Sequence, residues 1–103
     1  MAQLPHSLEH IKHVLTAYFA DKPVRRVQVF GSYARGEATE DSDLDVLIDI
    51  LHPAGWEYFS YADDLEQQLG IKVDLGSSVS DYIFRYIAKD LKTIYERPEK
   101  QAA

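Results

Sequence analysis

Between Phe30 and Asp49 the chain reads FGSYARGEATEDSDLDVLID, and this stretch holds most of its chemically useful spacing. A Gly31-Ser32 pair ends an apolar, β-branched run, and ten residues separate it from Asp43, with Asp45 two positions further on. Glycine lets the backbone come close to a ligand, and Ser32 adds a hydroxyl beside the exposed amides of a helix start, a seat suited to phosphate oxygens. Two acids at i and i+2 of a strand share a face, with Cα atoms about 6.6 Å apart. Carboxylates so placed can lean onto one divalent ion or onto a pair ~3.5–4 Å apart. Magnesium suits them, because it takes hard oxygen ligands and completes its shell with phosphates and water. Two other motifs fail here. Gly31 and Gly36 have the spacing of a P-loop, but Glu37 and Ala38 stand where Lys and Ser or Thr are needed. Asp41, Asp43 and Asp45 open like a calcium loop, but Val46 replaces its glycine and His52 its closing glutamate.

A third acid is available in Ile71–Leu75 (IKVDL), where Asp74 alternates out of an apolar strand face between Val73 and Leu75. If that strand neighbours Leu44–Leu51, all three acids project on one side. Three convergent carboxylates repel, so they bind a cation or one of them holds its proton to higher pH.

The elements that must position these residues follow from periodicity. Ser7 caps a helix over 8–20, with Leu8, Ile11, Leu15 and Tyr18 on one face and His6, His10 and His13 on its surface. Val24–Phe30 (VRRVQVF) is a strand, and a short helix is expected within 34–39. Leu44–Leu51 is a second strand, with Leu44, Val46, Ile48 and Ile50 alternating against Asp45 and Asp49. Asp49 reads as a solvated edge charge. Tyr58, Tyr61, Ala62, Leu65 and Leu69 form the stripe of a second long helix ended by Gly70. A third strand over 71–75 follows. Ser80 then caps a last helix, with Ile83, Tyr86 and Ile87 turned inward. Residues 91–96 (LKTIYE) fit either helix or strand, and the tail from Arg97 reads as solvated. Tyr33 alone among the tyrosines is placed to face a nucleotide or a partner.

Composition sets the outer bounds. The 103 residues make one domain, 46% hydrophobic and 27% charged, which excludes wholesale disorder. Cysteine is absent, excluding disulfides, thiolate zinc sites and thiol catalysis, and fitting a cytoplasmic location. With 11 basic against 17 acidic residues, the net charge of −6 argues against direct nucleic-acid binding. A small polyanion that brings its own cations remains compatible. No export signal or membrane span is readable.

Taken together, Gly31-Ser32, Ala34-Arg35-Gly36, Ser42-Asp43-x-Asp45 and Val73-Asp74-Leu75 resemble the minimal nucleotidyltransferases of the DNA polymerase β superfamily, whose pattern is GS, ten residues, DxD and a third acid on a later strand. The resemblance covers nearly the whole chain. It implies an α/β (α+β) nucleotidyltransferase fold, a small mixed β-sheet packed with helices. It also implies two Mg2+ ions with ATP as substrate. By position, Gly31 and Ser32 would hold the β- and γ-phosphates, Asp43 and Asp45 would ligate metal, and Asp74 would ligate the catalytic metal and help deprotonate the attacking hydroxyl. Arg35 and Ser42 fall beside the nucleotide. Their residue types also allow Arg35 to anchor the turn to Glu37 or Asp41, and Ser42 to cap the turn that orients Asp43.

Free proteins of this length resemble the antitoxin of a HEPN/MNT toxin–antitoxin pair, which transfers AMP to a tyrosine of the HEPN ribonuclease. The Arg-x4–6-His-x-Tyr motif of that toxin is not found in this chain, consistent with its being the modifying half. An antitoxin acting only by direct binding, or a transferase of a small hydroxylated substrate, is the alternative.

Overall fold

In the computed structural model, residues 7–51, 56–77 and 81–97 are described, which leaves His6, His52 and Ser80 outside. The Ser7 hydroxyl accepts from the amide of His10 at 3.1 Å, and Glu9 sits in the first turn of helix α1 (Leu8–Phe19). The cap satisfies one amide that the helix leaves without an acceptor, and the acid meets the positive end of the dipole. Ile11, Leu15 and Phe19 recur every four residues on its inner face and are fully buried.

Strand β1 (Val24–Phe30) passes directly into a short helix, α2 (Gly31–Arg35). The helix expected within 34–39 therefore starts earlier and stops at Gly36. There a left-handed φ of 76° turns the Gly36 amide back onto the carbonyls of Ser32 and Tyr33. Strand β2 (Leu44–Ile50) and helix α3 (Glu57–Leu69) follow. Strand β3 occupies Val73–Gly76 rather than 71–75, and the amide of Val73 is held by the Glu66 carboxylate at 2.9 Å. Helix α4 (Asp81–Ile87), a 3₁₀ turn (Ala88–Asp90) and strand β4 (Lys92–Glu96) complete the chain. Pairing with β1 settles the ambiguous 91–96 segment as strand.

The sheet order is β3-β2-β1-β4, with β2–β3 parallel and the other pairs antiparallel, so the expected mixed sheet is present. One face carries Val27, Val29, Leu44, Val46, Ile48 and Val73, all buried against α1 and α3 in a single core. Phe19 and Tyr61 meet edge-to-face at 5.6 Å, and the Tyr18 hydroxyl donates to Asp64 at 2.6 Å, tying α1 to α3. The opposite face bears the alternate residues, among them Gln28, Asp45, Leu47 and Asp74.

Several local expectations change. Ile83 and Tyr86 of α4 are 44% and 70% exposed, because the helices that build the core lie on the other side of the sheet. Tyr33 is buried in the core and not turned toward a ligand. Asp49 is not a free edge charge: it accepts from Arg25 Nε at 3.0 Å and lies 3.7 Å from Arg26. Arg97 is docked rather than solvated, its amide bonding the carbonyl of Arg25 at 2.8 Å and its guanidinium that of Lys22 at 3.1 Å. The remaining tail lies outside the described residues.

Leu65 is fully buried between α3 and the sheet, so Leu65→Ala should cost about 2–5 kcal/mol through lost burial and a residual cavity. Urea unfolding monitored by circular dichroism will show this as a lower midpoint with an unchanged slope.

Candidate active site

The site is built at one end of the open sheet face by backbone register. Phe30, the last residue of β1, pairs with Asp45 on β2, and Asp45 pairs in turn with Asp74 on the parallel strand β3. Directly paired residues project to the same side, so Asp45 and Asp74 stand together at neighbouring strand positions. Asp43 is exposed in the turn that leads into β2. Within that turn Ser42 Oγ accepts from the amide of Thr39 at 2.8 Å, and the Ser42 amide bonds the Thr39 carbonyl at 3.0 Å. Ser42 therefore closes the turn that presents Asp43, the second of its two readings.

Gly31 is the pivot between strand and helix. Its φ is +77°, and a Cβ built on it would overlap Asp45 Oδ2. No other residue type is accommodated there without strain and displacement of the carboxylate. Ser32 follows in the first turn of α2, where the backbone amides have no helical acceptors. The strand-to-helix pivot at Gly31 thus lies directly against the Asp45 carboxylate.

Arg35 is engaged elsewhere in this structure. Its Nε bonds Glu37 and its Nη1 bonds Asp90, both at 2.9 Å, which pins the end of α2 to the 3₁₀ turn. Glu37 was legible as a partner from sequence. Asp90, 55 residues away, carries no local signal and is brought in only by β4 folding back beside β1.

The electrostatics of the acids follow from this packing. Burial, then the charges of Asp74 and Asp43, pushes the Asp45 carboxyl up to about 6 from an ordinary 3.8, while Arg35 pulls the other way. Among the described residues no group of three His, Cys, Asp or Glu side chains is assembled as a ready metal cage. The donor set nonetheless fits magnesium. Asp45 and Asp74 offer carboxylate oxygens at paired positions, Asp43 lies in the exposed turn before them, and the repulsion among these charges is what a divalent ion would relieve.

Fold and site together define a nucleotidyltransferase: the model of the nucleotidyltransferase domain family matches residues 11–101, and the chain belongs to that family. Among its relatives, protein adenylyltransferase MntA of Thermococcus cleftensis is 43% identical over 74 residues, covering 67% of this chain and 75% of that protein. Solved structures share the fold. A crystal structure of a toxin–antitoxin with AMP-PNP superposes with a TM-score of 0.70 at 20% identity, over 90% of this chain and 77% of its counterpart. The structure of tri-AMPylated Shewanella oneidensis HEPN toxin in complex with MNT antitoxin gives 0.67 at 16%, over 91% and 76%. Among the described residues no helix is long and apolar enough to cross a membrane.

Because Asp45 holds its proton up to about pH 6 when folded but only to about 3.8 when unfolded, protonation favours the folded chain. In divalent-free solution the wild type should therefore lose stability relative to Asp45→Asn as pH rises from about 4 to about 6, read as the difference between their thermal midpoints.

Proposed function

We propose that this nucleotidyltransferase transfers AMP from Mg-ATP to a tyrosine hydroxyl of a HEPN-family toxin in the cytoplasm, releasing pyrophosphate and neutralising the toxin. The observation that carries the reading is the pairing of Asp45 with Asp74, with Asp45 set against the Gly31 pivot that leads into Ser32. The similarity to a protein adenylyltransferase, and the fold shared with toxin–antitoxin structures, supports a protein acceptor.

In this reading Gly31 and Ser32 bind the β- and γ-phosphates through main-chain amides and the Ser32 hydroxyl. Asp43, Asp45 and Asp74 hold magnesium, which when bound supplies neutralisation of the triphosphate charge. Asp74 also receives the proton of the attacking tyrosine hydroxyl. The tyrosine oxygen forms a bond to the α-phosphorus, the bond from that phosphorus to the bridging oxygen breaks, and pyrophosphate departs toward Gly31-Ser32. Arg35 keeps α2, and with it Ser32, in place through Glu37 and Asp90. The net charge of −6 suits a partner that must itself bind RNA.

Asp43→Asn and Asp45→Asn should each lower transfer from α-labelled ATP to the toxin by about a hundredfold or more, with the fold retained. Intact-mass spectrometry of the toxin after incubation with each protein checks this, the wild type adding one or more AMP masses. Undiminished transfer by both variants, or toxin neutralised without any mass gain, refutes the proposed reaction.

A further inference from the structure

The groove on the open sheet face next to the acids seats, we propose, the polypeptide segment that carries the acceptor hydroxyl. This rests on the reading above that the acceptor is a protein tyrosine. The groove has a volume of about 280 Å³ and is lined by Arg26, Gln28, Leu47, Asp49, Ser77 and Phe84. Its floor continues the row that bears the acids. Leu47 and Asp49 lie two and four residues beyond Asp45 on β2, and their cross-strand partners are Gln28 and Arg26. Residues two apart on one face are separated by about 6.6 Å, close to the reach of a tyrosine from Cα to hydroxyl. A tyrosine that lies along β2 with its hydroxyl at Asp45 and Asp74 has its main chain over Leu47, at the groove.

The direction of attack agrees. Pyrophosphate leaves toward Gly31-Ser32 at the end of β1, so an in-line nucleophile enters from the opposite side of the phosphorus, where Asp74 stands on β3. From Asp74 the chain runs through Gly76, paired with Leu47, to Ser77 at the groove's edge.

The chemistry of the lining selects a peptide over a phosphate chain. Arg26 is flanked by Asp49 at 3.7 Å and Glu96 at 3.9 Å, so the groove offers no uncompensated cation. A neutral main chain suits a lining whose charges are already paired, and a phosphate chain does not. Leu47 and the half-exposed Phe84 supply apolar walls for flanking side chains, and Ser77 adds a hydroxyl.

Steady-state transfer to the purified HEPN toxin, with Mg-ATP, tests the assignment in the wild type, Phe84→Ala and Ser77→Trp. Phe84 is 45% exposed, so its truncation leaves the core intact, while a tryptophan at 77 fills the groove. Both variants should raise KM for the toxin about tenfold or more, with KM for Mg-ATP and its calorimetric Kd within about twofold of the wild type. An unchanged KM for the toxin in both variants overturns the inference while leaving the proposed reaction standing. A rise in KM for Mg-ATP instead of the toxin overturns it in favour of a nucleoside seat. Absence of transfer by the wild type refutes the reaction and this inference together.

Discussion

The register between β1, β2 and β3 is the constraint on which the rest of the site depends. It sets Asp45 opposite Phe30 on one side and Asp74 on the other, so the strand-to-helix pivot at Gly31 lies against a pair of acids. A slip of one residue on either strand would send the carboxylates to the buried face and expose the apolar residues that alternate with them. Such a slip is strongly disfavoured, because Leu44, Val46, Ile48 and Val73 are fixed in the core by α1 and α3. Hydrophobic burial on one face of the sheet thus holds the acid pair in register on the other.

That arrangement gathers like charges in a partly desolvated place, and Asp45 records the cost as a carboxyl pushed up to about 6. The protein sets a single nearby cation against it, Arg35, and engages that cation with Glu37 and Asp90. The proposed divalent ion, with the phosphates that travel with it, would supply the rest of the compensation. The proposed transfer is consistent with that balance, since like charges held together by the fold would favour a nucleotide that brings its own cation.

The parts of the fold legible in the sequence were those governed by short-range pattern. The faces of α1 and α3, the span of β1 and the alternation of β2 follow from periods of 3.6 and 2. Gly31-Ser32 and Asp43-x-Asp45 stood out in the sequence because their spacing is local, falling at the end of β1 and the start of β2. Less readable were residues whose environment is set by distant chain. Tyr33 sits between two glycines near the pivot, yet it is core because α2 starts one turn earlier than expected and aims it inward. Ile83 and Tyr86 have helical spacing, yet they are exposed because α4 lies outside the core. Arg97 looks like a tail residue, yet it closes carbonyls left at the start of β1.

The sequence by itself determined which residues could do chemistry, which family pattern they make, and which face of each element is apolar, since all three depend on residue type and local spacing. Only the tertiary structure decided that Asp45 and Asp74 are direct neighbours, that Arg35 is anchored by Asp90, and that Leu47, Ser77 and Phe84 line one groove. The physical reason is that strand order and long-range ion pairs arise from packing the whole chain into one core. Between residues tens of positions apart, no local preference specifies who will meet whom.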